Sequence, residues 1–193
     1  MSSIVRKKYL KIKELIGRSS LASEIQIRNR RVRSLSEIKT IGILYDATDR
    51  EIYEYMNETV KRFREDLKKV SSLGFIDSKD DRDMLGSKLG FDFFNRKQLD
   101  YLLRPYSPVV QNFYMEEFDL LIDCNIENHW PLEYIMRKSN ACLKVGVSPS
   151  FYNHYDLSFR IQFPISEPPY KREEKLNILR QLFLNTKKYL HNI

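Results

Sequence analysis

The chain has 193 residues, enough for one domain with an extension and for an apolar core that needs no disulfide staples. Its net charge of +7 is uneven: residues 1–34 carry ten Lys/Arg against two acids, and the rest sums to −1, so the basicity speaks of partners rather than of the fold. No stretch of about 18 apolar residues occurs and no apolar region follows the basic N-terminus, so neither a transmembrane helix nor a secretory signal is expected, and a cytoplasmic protein is.

The first predicted element is a helix. Val5, Tyr9, Ile12 and Ile16 recur on one face, Lys7 and Lys11 fall on the other side, and Gly17 suggests a stop. The spacing suits a helix docked on the body, on a membrane surface or on a partner. An arginine cluster follows in RNRRVRS. Residues 1–35 thus read as a basic arm and residues 36–193 as the folded domain. Arg6, Lys7, Lys8, Lys11, Lys13, Arg18, Arg28, Arg30, Arg31 and Arg33 are the candidate contacts to RNA, a ribosome-like particle or another acidic partner.

KTIGILYD (39–46) reads as a buried strand with β-branched residues. Thr48 and Glu51 form a capping-box pattern ahead of a long amphipathic helix. Its apolar face is Ile52, Met56, Val60, Phe63, Leu67 and Val70, and Glu58/Arg62 and Glu65/Lys69 are spaced for ion pairs. A short strand over Leu73–Asp77 completes a βαβ unit, for which a right-handed crossover is expected.

Residues 78–90 read as a polar loop. Phe91–Phe94 suggests a short strand, Asn95 a cap for a helix through Gln98, Tyr101 and Leu102, and Val109–Tyr114 another helical turn or two. FDLLIDCN, a helix opened by Pro131, and ACLKVGV form a second βαβ unit. YDLSFRIQF alternates as one more strand. The loop PISEPP leads to a last helix from about Lys171 to His191, with Leu176, Leu179, Phe183 and Leu190 on its apolar face. The sum is an α/β fold: a single doubly wound, mostly parallel sheet of about five strands, helices on both faces, and a basic helical arm.

Ligands of such sheets sit at the carboxyl ends of the strands. Asp46, Thr48, Asp49, Asp77, Asp123, Asn125 and Ser148 fall there. Asp46, Asp77 and Asp123 could converge as carboxylates for Mg²⁺ or acid–base work, and His129 beside Asp123 is the His/carboxylate candidate. The same residue types also cap helices and make turns. DATDRE follows the first strand without a glycine, and no phosphate loop, nucleophile elbow or zinc motif occurs. Cys124, Cys142 and the three histidines lack ligand spacing, so no metal and no cofactor is expected. Tyr152, Asn153, His154 and Tyr155 form a polar aromatic loop able to stack on a ligand.

FDLLIDCN, LEYIMRKSNACLKVGV and YDLSF, with the basic leader and the IGILYDAT strand, resemble an uncharacterised bacterial family carrying a domain of unknown function. That resemblance implies a small bacterial cytoplasmic protein and assigns no activity. The second βαβ block is also similar to the N-terminal domain of heptosyltransferase-type glycosyltransferases. It implies the same sheet grammar; their second, sugar-nucleotide-binding domain has no counterpart in this sequence, so transferase activity is not expected. The function expected first is non-enzymatic binding through the arm. A sheet-edge small-ligand binder or enzyme at Asp46/Asp123, and a peripheral membrane or partner-docking protein through helix 1–17, are the alternatives.

Overall fold

The computed structural model describes residues 3–22, 28–80, 90–148, 154–162 and 169–193, without the side chains of residues 3, 4, 6, 7 and 22. The candidates Arg6 and Lys7, the loop residues Tyr152 and Asn153, and residues 164–168 of the PISEPP loop therefore lie outside the described side chains or residues.

Six strands form one all-parallel sheet in the order β3-β2-β1-β4-β5-β6. They are β1 (Thr40–Asp46), β2 (Lys69–Ile76), β3 (Phe91–Asn95), β4 (Leu120–Cys124), β5 (Leu143–Ser148) and β6 (Leu157–Arg160). Among the described residues the α-helices are α1 (Ser3–Ala22), α2 (Arg50–Glu65), α3 (Pro108–Met115), α4 (Trp130–Lys138) and α5 (Arg172–His191). The sheet has one strand more than the five expected from sequence. Phe91–Asn95 pairs with β2 along its full length, Ser72 opposite Phe91 and Ile76 opposite Asn95.

The alternating strand side chains serve two cores. Ile41, Ile43, Tyr45, Leu120, Ile122 and Val145 pack with Ile52, Met56 and Phe63 of α2 and Leu179 and Leu182 of α5. Leu44, Leu73, Phe75 and Leu121 pack on the other face with Val110 and Phe113 of α3 and Leu132 and Ile135 of α4. Strands covered on both faces must be apolar on both, which explains the near-continuous burial of IGILY and LLIDC.

Three local expectations are corrected. The long helix ends at Glu65, not near Val70. Leu67 takes a left-handed φ of 58° and is 94% exposed, while Val70 belongs to β2, whose Lys69 pairs with Thr40 of β1. The early stop brings β2 back alongside β1, and Lys69 pairs with Glu116 at 2.9 Å rather than with Glu65. The cap of α2 is Asp49, which accepts from the Glu51 N–H, and not Thr48. Thr48 instead ties two strand ends together: its N–H donates to Asp46 and its Oγ1 accepts from the Asp77 N–H.

Gly17 is no stop, because α1 runs through it to Ala22. A Cβ there would stand 3.0 Å from Cζ2 and Nε1 of Trp130, so the glycine lets α1 settle onto the indole of α4. The docked face of α1 is Leu10, Lys13, Glu14, Gly17, Arg18 and Leu21. Arg18 reaches Glu133 of α4 at 2.8 Å. The face predicted from Val5, Tyr9, Ile12 and Ile16 points outward instead. Among the described residues no helix is long and apolar enough to cross a membrane.

Candidate functional site

Strand order reverses between β1 and β4, so the loops after these two strands part and leave a crevice, the usual ligand position in a doubly wound sheet. Asp46 ends β1. Asn125, Glu127 and His129 follow β4. Asn125 sets this loop: its carbonyl accepts from the His129 N–H at 2.7 Å, and its amide donates to the His129 carbonyl at 2.9 Å. Asn128 takes a left-handed φ of 59°, which asparagine tolerates, and the turn aims His129 back over β1.

His129 Nε2 stands 3.2 Å from Asp46 Oδ2 and 3.8 Å from Glu127 Oε2. Burial alone would lower the imidazole pKa, but the two carboxylates outweigh it and push it up to about 9. The histidine is therefore a cation at neutral pH. Asp46 is also desolvated, yet His129 and the Thr48 backbone hold its pKa below the usual carboxylate range. Glu127 meets Lys175 of α5 at 2.9 Å and accepts from the Tyr170 N–H.

The carboxylate partner of His129 is thus Asp46, and the pairing with Asp123 expected from sequence does not form. Asp123 is buried within β4, where its oxygens accept from the Asn125 N–H at 3.0 Å and the Tyr155 hydroxyl at 2.8 Å. Desolvation pushes its pKa up to about 6. It does not line the crevice.

The crevice consists of two cavities that share His129 and Asp77. The polar one, about 420 Å³, is walled by Asp46, Thr48, Asp49, Arg50, Asp77, Glu127, His129, Arg172 and Lys175. The half-apolar one, about 410 Å³, lies under α1, with Tyr9, Leu10, Phe75, Leu99, Leu103 and Trp130 among its walls and Lys13, Lys79 and Arg96 as its cations. Leu103 holds a left-handed φ of 60°, a backbone strain of about 1–2 kcal/mol for an ordinary side chain. Asp100 sustains it by accepting the Leu102 and Arg104 N–H groups, and Trp130 Nε1 donates to the Leu102 carbonyl at 3.0 Å. Helix α1 therefore forms one side of the sheet-edge crevice. Docking on the body was one reading of the helix in the sequence, but its place at the crevice was not legible there.

Asp46, Glu127 and His129 each offer a ligand atom within 4.8 Å of one another, so the trio has the span of a metal site. Its charges are already matched, because the two carboxylates face the His129 cation and the Lys175 ammonium. A metal would have to strip a proton from an imidazole of pKa about 9, which costs about 3 kcal/mol at neutral pH. The trio thus holds a proton on His129 between two carboxylates, and a metal would compete with that proton for the same ligand atoms.

The arginine cluster divides into two pairs. Arg28 is 6% exposed at its side chain, donates to the Ala141 and Cys142 carbonyls and pairs with Asp156 at 2.5 Å. Arg33 pairs with Asp119, whose other oxygen accepts from the Lys39 and Thr40 N–H groups. Arg30 and Arg31 are exposed, as are Lys8 and Lys11. Backbone bonds from Arg31 to Cys142 and from Leu35 to Leu190 hold the segment along the body.

The family model described as a family of unknown function, DUF6913, matches residues 13–182, and the chain belongs to that family. No curated protein and no solved structure matches it.

Proposed function

We propose that this member of a family of unknown function binds a small, uncharged or zwitterionic organic ligand in the carboxyl-edge crevice. The His129–Asp46 pair is its polar recognition and proton-transfer element. The observation that carries this reading is the junction of a polar and a half-apolar cavity at His129 and Asp77, at the point where strand order reverses.

The charge balance supports the ligand class. In the polar half, Asp46, Asp49, Asp77 and Glu127 are matched by Arg50, His129, Arg172 and Lys175. Most of them already pair: Arg172 with Asp49 at 2.8 Å, Lys175 with Glu127, and Arg96 with Asp77. A ligand of large net charge would leave this balance uncompensated, whereas hydroxyl, amide or amino-acid groups would exchange with it. Asp49 and Glu51 at the start of α2 argue against a phosphate there. Leu99 and Leu103, with Tyr9 at the rim, give an apolar part of the ligand somewhere to lie. His129, held protonated by Asp46 and Glu127, carries the proton that general acid catalysis would transfer to a bound ligand, and the two carboxylates favour its return to the imidazole afterwards.

The test is a thermal-shift screen of the full chain against amino acids, polyols, sugars and nucleosides, followed by calorimetric titration of the hits. Ligands are expected that raise the melting temperature and bind His129→Gln at least about tenfold more weakly. No binder in these classes, or equal binding by His129→Gln, would overturn the proposal.

A further inference from the structure

We propose that the outward face of α1 docks the protein on an anionic lipid bilayer. Val5, Tyr9, Ile12, Leu15 and Ile16 are each more than half exposed, between 51% and 55%. Single exposed apolar residues are ordinary, but five on one helix form a patch. At about 100° per residue, Val5, Tyr9, Ile12 and Ile16 fall within roughly 60° of arc, centred roughly 140° from the face that docks on the body. Helix α1 therefore has two faces: the body takes the one through Gly17 and Arg18, Tyr9 and Lys13 stand at the border and also wall the half-apolar cavity, and Val5, Ile12, Leu15 and Ile16 are left to the outside.

The inner face is fastened by the Gly17–Trp130 contact and the Arg18–Glu133 pair. The outer face is thus presented by a helix already held in place, and using it requires no unfolding. Lys8 and Lys11, both exposed, border the stripe on one side. Lys13 borders it on the other, with its Nζ 4.6 Å from the Tyr9 ring centre. Apolar side chains between lysines whose stems reach outward match the boundary of a bilayer, with the ammonium groups among acidic headgroups.

Charge decides between occupants. Two copies of the chain joined stripe to stripe would bring both sets of lysines together, and like charges would oppose the contact. A nucleic acid would satisfy the lysines but leave the isoleucines in water. A bilayer with acidic headgroups satisfies both sets at once.

The experiment is co-sedimentation of the full-length protein with vesicles of phosphatidylcholine alone and of phosphatidylcholine mixed with phosphatidylglycerol. Binding is expected to the mixed vesicles only, weakening as salt is raised. The double variant Ile12→Ser/Ile16→Ser should lose at least about tenfold in affinity. Lys8→Gln/Lys11→Gln should weaken binding at low salt. Leu184→Ser, at a residue of α5 that is 67% exposed, removes apolar surface elsewhere and should bind like the wild type. The proposal falls if the wild type does not bind the mixed vesicles, or if Ile12→Ser/Ile16→Ser binds them equally well. It also falls if those substitutions instead dissolve a dimer. Binding to single-stranded RNA that is indifferent to Ile12 and Ile16, with no vesicle binding, would overturn it as well. None of these outcomes bears on the ligand titrations of the crevice, which use no lipid.

Discussion

His129 Nε2 lies 3.2 Å from Asp46 Oδ2 and so joins the loop after β4 to the end of β1 across the point where strand order reverses. Asp46 and Glu127 together raise the histidine pKa to about 9 against its burial, above the 6.5 of an unperturbed imidazole. A group whose folded pKa is raised contributes stability that is complete below pH 6.5 and is lost as pH rises through about 9. The contribution is on the order of 3 kcal/mol, and the lowered pKa of Asp46 expresses the same interaction rather than a second one. In Asp46→Asn the His129 resonance in a proton NMR titration should move its midpoint down by about one unit or more. Urea melts should show a smaller loss between pH 6 and pH 9.5 for the variant than for the wild type. An unmoved midpoint would remove the pair from the account of the site.

Asp123 should behave in the opposite sense to Asp46. Its carboxyl is buried and raised to about 6, so the folded state favours the protonated form, and stability declines as pH rises from about 4 past 6. Asp123→Asn abolishes that decline, and the Tyr155 hydroxyl can turn to accept from the new amide. The variant should exceed the wild type by about 1–2 kcal/mol in urea melts at pH 8 and match or fall below it at pH 4.5.

The internal and exposed arginines should separate cleanly. Arg28→Ala leaves Asp156 without its nearest cation and the Ala141 carbonyl without its guanidinium donor, while Cys142 keeps the Arg31 N–H; the expected cost is about 3–5 kcal/mol. Arg30→Ala removes a side chain that is 73% exposed and lies 3.7 Å from the same carboxylate, so its effect should stay within about 0.5 kcal/mol. Chemical denaturation of the two variants side by side decides the matter.

Gly17→Leu tests whether α1 closes the half-apolar cavity. Leucine is the better helix former by close to 1 kcal/mol, so a free helix would gain from it. Against the indole of Trp130 it has no room, and α1 should lift. Trp130 is the chain's only tryptophan and is 1% exposed, so its fluorescence should shift to the red, and quenching by acrylamide should rise. An unchanged spectrum would mean that the contact is not what holds the helix.

The sequence by itself determined the local elements. Short β-branched apolar runs gave β1, β4 and β5, a 3.6-residue period gave α2 and α5, and Pro131 marked the first turn of α4. It also nominated Asp46 and His129 separately, because polar residues just past an apolar strand sit at the sheet's carboxyl edge. It fixed the bounds of α2 less well, since Leu67 and Val70 keep the helical period by accident and only the left-handed Leu67 breaks it. Tertiary structure alone decided the pairings. Which strand lies beside β1 depends on how crossovers pack, and that adjacency gives His129 to Asp46 and leaves Asp123 to Tyr155. The acceptors of Arg28 and Arg33 lie 128 and 86 residues along the chain, beyond the reach of any periodicity. The face of α1 that docks was equally hidden. Hydrophobic pattern favours the stripe of Val5 and Ile12, but close approach to Trp130 needed the missing side chain of Gly17 and an arginine opposite Glu133, and that fit turned the apolar stripe outward.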